Sequence, residues 1–144
     1  MRFMIIRKAD ADTEAGKMPS EALLQAMGDY NKQMLDAGVM VTGEGLKPTS
    51  AGARVRLSRD GTPPVVTDGP FAESKELVAG FTIIEVASKD EALDWVRRWP
   101  REDAPVELEL RQVYELSDFP VDPAEAPDGW RAMEQAARDR EGGR

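Results

Sequence analysis

A nine-residue segment from Asp68 to Glu76, with the sequence DGPFAESKE, combines a turn, an aromatic ring and four charged side chains. A carboxylate at Asp68, partly buried beside the Phe71 ring, would suit general-base chemistry. The same residues also suit a simple chain reversal, because Asp accepts hydrogen bonds from the amides that follow it, Gly permits positive φ and Pro fixes the exit. We place the turn interpretation first and keep Asp68 as the first candidate for a catalytic base.

Glu44 is the second candidate base, since it lies between two glycines that let a ligand approach the backbone closely. Turn formation explains the same glycines, and we place it ahead. Two arginines, Arg7 on the first predicted strand and Arg111 on the last, each need an acidic partner if they point at a sheet face. For Arg7, an internal ion pair with Glu44 or Asp68 and the binding of an anionic small molecule both remain open.

The chain contains neither cysteine nor histidine, which limits the chemistry it can perform. Disulfides, thiolate catalysis and thiolate metal sites are excluded, and the usual acid–base group near neutral pH is absent. We therefore expect no metal and no cofactor. The net charge of −8 disfavours nucleic acid as a partner. No apolar run approaches the ~20 residues needed to cross a bilayer, and no signal peptide is recognisable, so we expect a cytoplasmic protein without a membrane contact.

Periodicity and capping signals divide the chain into the elements that would position these residues. Ser20 is the predicted N-cap of a long helix that ends at Gly38, and a capping box at Ser88 opens a second helix. The segment Arg2–Lys8 is apolar on both faces, which predicts a central strand that is covered on both sides. The other predicted strands are 39–42, 53–58, 65–67, 77–86 and 106–110, and residues 9–18 are a predicted loop.

This order predicts an α+β fold of the ferredoxin-like, split βαβ type with an inserted hairpin. Within the hairpin, alternation turns Val55 and Leu57 inward. The helices cover one face of such a sheet, and pairing two copies face to face is one way to cover the other, so a homodimer is expected.

The composition changes beyond Tyr114, where prolines become frequent. We therefore divide the chain into a domain of residues 1–116 and an extended arm of residues 117–144, which ends in a short charged helix at 130–140. Whether the arm packs on its own domain or on a second subunit is open.

The nine-residue segment closely resembles the DGPFAETKE signature of the DGPF group of YCII-related proteins. MPSEALLQAMGDYNKQMLDAGVMVTGEGL (18–46) and AGFTIIEVASKDEALDWV (79–96) resemble other parts of that group. The resemblance covers residues 1 to about 116 and implies a bacterial protein that forms a dimeric α+β barrel. A His–Asp pair proposed as catalytic in the YCII branch cannot be carried over, because this chain has no histidine. Lys47 stands where DGPF relatives often carry a histidine after the Gly-Glu-Gly-Leu loop.

The leading hypothesis is a homodimer that binds a small organic ligand, with an anionic one favoured by the arginines. If it is an enzyme, we expect a cofactor-independent isomerase or lyase in which Asp68 or Glu44 is the base and Arg7 stabilises developing negative charge. The remaining candidate ligand contacts are Phe71, Lys47, Arg111 and Tyr30, of which Tyr30 fits a helix core better.

The alternative hypothesis is a non-enzymatic sensor or protein-interaction module linked to transcription. The proline-rich arm and its charged helix favour it, and the resemblance adds relatives that occur beside or fused to sigma factors.

Overall fold

The computed structural model describes residues 1–72, 76–122 and 124–142. Its elements follow the predicted order, with strands and helices named here in chain order. They are β1 Arg2–Lys8, α1 Ala11–Glu14, α2 Glu21–Asp36, β2 Met40–Gly45, β3 Ala53–Arg56, β4 Val65–Asp68, β5 Val78–Glu85, α3 Lys89–Arg97, β6 Leu108–Gln112 and α4 Asp128–Gly142.

Four of the strands form one antiparallel sheet in the order β2-β5-β1-β6. β1 is central, as its apolar sequence predicts, and pairs with both β5 and β6. The predicted α+β class with an antiparallel sheet is therefore confirmed, and the strand order is that of a split βαβ arrangement.

Local capping explains where the long helices begin and end. The Ser20 side chain accepts a hydrogen bond from the Leu23 amide at 3.1 Å, and Gly38, with φ of +71°, follows the end of α2. Ser88 caps α3 in the same way. The prediction of a plain loop over residues 9–18 is wrong, because Asp10 caps the short helix α1 by accepting from the Thr13 amide at 2.8 Å.

The hydrophobic core lies between the sheet and helices α2 and α3. The register places Phe3, Ile5 and Ile84 on one face of the sheet, and all three are buried against these helices. The helices contribute buried side chains to the same cluster, namely Tyr30, Met34, Ala92 and Trp95. We call this face of the sheet the helix face.

The opposite face of the sheet, called here the open face, has an apolar centre. In the strand register Met4 lies opposite Ile83 and Ile6 opposite Phe81, and alternation turns these four away from α2 and α3. They are partly exposed, and no described residue of the core cluster comes from this face. The prediction that β1 is covered on both sides is therefore wrong for this single chain.

Strands β3 and β4 form a separate two-stranded ribbon, with Val55 opposite Val66. The predicted hairpin is confirmed, but every residue of both strands is exposed. The expectation that Val55 and Leu57 point inward is wrong for this chain alone, because both side chains are exposed.

The C-terminal segment makes a small cluster of its own. The Phe119 ring packs between the rings of Tyr114 and Trp130, with centroids 5.1 and 5.0 Å apart, and meets Trp130 edge-on. Leu116 and Ala126 are buried nearby in the chain. Helix α4 is longer than the predicted 130–140. In the part of the chain that the structure describes, no helix has the length and apolar character to cross a membrane.

Candidate functional site

The backbone of the signature loop is packed directly against the segment that follows β2. A Cβ atom on Gly69 would lie 1.8 Å from the carbonyl oxygen of Thr49, so only glycine fits at this position. The Gly69 amide donates to the Gly52 carbonyl at 3.0 Å. The glycine of the signature is therefore required by close backbone approach, and its φ is not positive.

A second attachment runs through side chains. The Thr49 hydroxyl accepts from the Phe71 amide at 3.0 Å and donates to a carboxylate oxygen of Glu14 at 2.6 Å. The other oxygen of Glu14 accepts from the Thr49 amide at 3.1 Å. Helix α1 thus holds the loop in place through one threonine, which fixes the direction in which the Phe71 ring leaves the backbone.

The side chains of the loop are less constrained than its backbone. The Asp68 carboxylate is exposed and forms no hydrogen bond or ion pair with any residue that the structure describes. The expected hydrogen bonds from the following amides, and the expected partial burial, are both wrong for this chain alone. Phe71 is half-buried, and the Arg54 guanidinium lies 3.9 Å from its ring centroid. Glu73, Ser74 and Lys75 lie outside the described residues.

Arg7 forms an internal ion-pair cluster at the end of β1 on the helix face. Its Nε and Nη2 atoms donate to the two oxygens of Asp103 at 3.2 and 2.7 Å, and its Nη1 donates to Asp10 and to the Lys8 carbonyl. The Trp99 indole donates to Asp103 at 2.9 Å. The side chains of Arg7 and Asp103 are only 14% and 8% exposed.

The expected partners of Arg7, Glu44 and Asp68, are therefore wrong, although an internal ion pair does form. Because Asp103 and Asp10 engage all three guanidinium nitrogens, Arg7 has little capacity to bind an anion. The hydrogen bond to Asp103 raises the pKa of Arg7, whereas burial acts in the opposite direction. The pKa of Asp10 is lowered, first by the hydrogen bond from the Thr13 amide and then by Arg7.

Tyr30 lies in the core and not at a ligand site. It is buried, and its hydroxyl donates to the Trp95 carbonyl at 2.8 Å. Its ring packs edge-on against Trp99, with centroids 5.6 Å apart. Burial raises the pKa of Tyr30 to about 12. The core interpretation of Tyr30 agrees with this packing.

The remaining candidates lie on the open face or beyond its edge. The register places Glu44 opposite Phe81 and Arg111 opposite Met4, so Glu44 and Arg111 share the open face on its two edge strands. Lys47 is exposed in the segment that follows β2. Arg111 forms a long ion pair with Glu109 at 3.6 Å.

The candidate residues therefore do not form one pocket in the single chain. Arg7 and Tyr30 are on the helix face, Glu44 and Arg111 are on the open face, and Asp68 and Phe71 belong to the signature loop. A surface groove at the end of β1 is lined by Lys8 and by four acids, namely Asp10, Glu76, Glu107 and Glu109. Among the described residues, no three acidic side chains are grouped closely enough to hold a metal ion.

Sequence reasoning missed the residues that hold these regions together. Asp103 follows α3, and the chain between α3 and β6 must pass the end of β1, where a strand arginine needs an acid. That requirement could have identified Asp103. Glu14 and Thr49 lay in segments interpreted as loops, and only the fold brings them to the signature loop.

Comparison with known proteins gives a family. The model of the YCII-related domain matches residues 1–117. An uncharacterised protein of Rhizobium meliloti (strain 1021) is 40% identical over 81 residues, which are 56% of this chain and 64% of that protein. The match thus spans less than two thirds of that relative's length.

One solved structure is similar at low identity. It is the 5-chloro-2-hydroxyhydroquinone dehydrochlorinase of Burkholderia phenoliruptrix AC1100, in complex with 2,5-dihydroxybenzoquinone. It is 17% identical, with a TM-score of 0.37, and the match covers 82% of this chain and 98% of that chain. A likeness at this level carries no information on activity.

Proposed function

Because this chain belongs to the YCII-related domain family, we propose that it acts as a homodimer that binds a small organic molecule and transfers a proton on it without a cofactor. The signature DGPFAESKE assigns it, in this proposal, to the DGPF group. The observation that carries the proposal is the contrast within the signature loop. Its backbone is fixed by Gly69 and Thr49, whereas the Asp68 carboxylate has no partner among the described residues.

Such an arrangement favours a functional carboxylate over a structural one. A carboxylate that stabilised the turn would accept from nearby amides, as Asp10 does for α1. Asp68 instead sits on a rigid support with its oxygens available, which is the condition for a positioned general base. Glu44, also exposed and between two glycines, is the second candidate.

The homodimer would form through the open face. Two sheets that pack face to face lie about 10 Å apart, and the four apolar side chains at the centre of this face would fill that space. The charged residues on its strands balance, with three bases and three acids: Arg2, Lys8, Arg111, Glu44, Glu85 and Glu109. Two copies of this face therefore do not repel each other, despite the net charge of −8 on the whole chain.

In the dimer, the open-face residue Glu44 would lie in an enclosed environment and no longer in bulk water. Arg111 on the same face would supply a positive group for an anionic ligand. Phe71 would supply an apolar contact at the signature loop, and Lys47 a second cation near the end of β2. Arg7 has no part in this proposal, because Asp103 and Asp10 engage it.

The chemical test is exchange of carbon-bound protons. A set of small ketones and keto acids would be incubated with the protein in D2O, and loss of the α-proton signals would be followed by NMR. Asp68→Asn should lower the exchange rate at least tenfold, while Asp12→Asn, the same change at an exposed acid in α1, should leave it unaltered. Equal rates in the two variants would exclude Asp68 as the base.

The dimer requires its own test. Sedimentation equilibrium of Ile83→Ser, which alters the open face, should show a weakened association, whereas Leu24→Ser on the exposed surface of α2 should not. A wild-type protein that stays monomeric up to about 0.5 mM, above the ordinary range of stable dimers, would contradict this part of the proposal.

A second function is favoured by the aromatic cluster of the C-terminal segment. Tyr114 is 73% exposed and Trp130 48% exposed, and tyrosine and tryptophan are enriched at the centres of protein interfaces. We therefore keep a protein-interaction module as the alternative function. Capture of a host protein by the full chain, lost in Trp130→Ala but kept in Trp130→Phe, would support this alternative over catalysis.

A further inference from the structure

The ribbon of β3 and β4 is unusual because it is well ordered in register yet buries none of its strand residues. Four pairs join the two strands, from Ala53 opposite Asp68 to Arg56 opposite Val65. An isolated two-stranded hairpin is at best marginally stable in water, so a ribbon of this kind needs a surface to pack on. No described part of its own chain provides that surface, since all eight strand residues are exposed.

One side of the ribbon is mainly apolar. The register places Ala53, Val55, Val66 and Asp68 on this side, where Val55 and Val66 are 57% and 63% exposed. Leu57, which follows β3, continues the alternation and is 76% exposed. The other side is mainly polar and carries Arg54, Arg56 and Thr67, with Val65 as its apolar residue. An exposed apolar strip with a polar opposite side is the pattern of a strand that is half-buried in an assembly.

The charge of the hairpin indicates what covers it. Residues 53–68 contain three arginines and two aspartates, which give them a net charge of +1. Because the whole chain carries −8, the other residues together carry −9. The arginines are Arg54, Arg56 and Arg59. A second copy of the same chain is therefore an acidic surface that attracts the arm.

The position of the hairpin points to the same occupant. Strand β2 runs along the edge of the sheet and carries Glu44 on the open face one residue before its end. The hairpin connects the end of β2 to the start of β5, which are neighbours in the sheet, so it is attached at the end of the sheet where Glu44 lies. An arm in this place can reach past its own sheet onto the second copy.

We infer that the β3–β4 hairpin is a dimerisation arm, whose Val55–Val66 side packs on a second copy of this chain and whose net positive charge favours that acidic partner. This inference rests on the proposed homodimer. Symmetry would make the contact reciprocal, so each copy would contribute one arm and receive one. Because the signature loop begins at Asp68, the last residue of β4, the arm would also bring the second copy close to the proposed base.

The absence of cysteine permits a clean test with one probe per molecule. A single cysteine would be placed at Val66 on the apolar side or at Thr67 on the opposite side, and each would carry a polarity-sensitive fluorophore. The dimer would be followed in parallel on the same samples by sedimentation equilibrium. We expect the emission at position 66 to shift to the blue along the dimerisation curve and the emission at position 67 to shift much less.

The results of the probe experiment distinguish a failure of the arm from a failure of the homodimer. A dimer with an unchanged signal at position 66, or with equal shifts at 66 and 67, would overturn the arm and leave the homodimer standing. No dimer at any concentration would overturn the proposed homodimer and the arm with it.

A second measurement needs no probe. The double variant Val55→Thr, Val66→Thr keeps the shape and strand propensity of both side chains, so the ribbon should be retained. We expect the dimer dissociation constant to rise about tenfold or more. The matched variant Leu24→Thr on α2 should leave it unchanged. An unaltered dissociation constant in the double variant would also overturn the arm.

Discussion

The two faces of the sheet use the same kinds of residue in opposite ways. On the helix face, the charged and polar groups are paired inside the chain, as Arg7 is with Asp103 and Tyr30 with the Trp95 carbonyl. On the open face and in the signature loop, Glu44 and Asp68 find no described partner. The comparison teaches that the number of charged residues in a segment does not locate a site, and that an acid without an internal partner is the better candidate for one.

The largest expected effect tests the difference between the two faces with two neighbouring isoleucines of β5. Ile84 is fully buried on the helix face, so Ile84→Ala should lower the free energy of unfolding by about 4 kcal/mol. Ile83 lies on the open face, and Ile83→Ala should lower it by only about 1 kcal/mol in the monomer. Urea unfolding measures both losses of stability. It should be done at low and at high protein concentration, because a dimer that covers the open face would make the loss in Ile83→Ala larger at high concentration. Equal values in dilute solution would contradict the assignment of the two faces.

The next largest effect tests the pairing on the helix face. Asp103→Ala removes the main partner of Arg7 and leaves a guanidinium that is mostly buried, which should lower the free energy of unfolding by about 3 kcal/mol. The exposed pair of Asp94 and Arg97 is a matched control, and Asp94→Ala should change stability by less than about 0.5 kcal/mol. If both variants unfold at the same urea concentration, the Arg7 cluster does not stabilise the fold more than an exposed ion pair does.

In the signature loop, a substitution that disturbs the backbone should lower stability more than one that changes an exposed side chain. Gly69→Ala places a methyl group against the Thr49 carbonyl and should lower the free energy of unfolding by about 2 kcal/mol. Gly45→Ala is the control, because a Cβ there meets no atom within 4 Å. Asp68→Asn should leave stability nearly unchanged. A large loss of stability in Asp68→Asn would show that the carboxylate supports the loop and would weaken its role as a base.

Tyr30→Phe tests a single buried hydrogen bond. Losing the bond to the Trp95 carbonyl should lower the free energy of unfolding by about 1 kcal/mol at neutral pH. The pKa of Tyr30 is raised from about 10 to about 12, so its contribution is complete below pH 10 and is lost as the pH rises towards 12. Wild type should therefore lose stability over this window, and Tyr30→Phe should lose less. Parallel alkaline curves for the two proteins would contradict the burial of the hydroxyl.

The smallest effect concerns Asp10, which is partly exposed. Its pKa is lowered in the folded chain, chiefly by the Thr13 amide, so its contribution is present above the ordinary aspartate pKa of about 4 and is lost as the pH falls below that value. Because solvent screens the group, the change should be well under 1 kcal/mol. Asp10→Asn should flatten the acid side of the stability curve slightly. A steeper acid side in this variant would contradict the sign of the shift.

Much of the fold could be predicted because local signals specify it. Ser20, Gly38 and Ser88 mark helix ends by their own hydrogen-bonding and backbone properties, and the apolar run of β1 identifies a central strand. The alternation that made Val55 appear buried describes a ribbon with one apolar side. It does not say whether that side meets its own chain or another.

The candidate site could be predicted only in part, because it depends on long-range register. The face on which Glu44 lies depends on its pairing with Phe81 and on an irregularity in β2 between Met40 and Thr42. β1 is apolar on both sides, so its sequence does not reveal which side the helices cover. The face on which Arg7 lies therefore could not be predicted either. Asp103 pairs with Arg7 although 96 positions separate them in the sequence. Local patterns contain none of this information.

The pairing of the first strand with the last also has a consequence for how the protein is made. Phe3 lies opposite Gln112, so β1 gains its second neighbour only after almost the whole domain has left the ribosome. Until then a nascent chain presents an apolar strand edge that can associate with other molecules. Contacts between such distant positions also slow the search for the native state, so folding should take milliseconds to seconds.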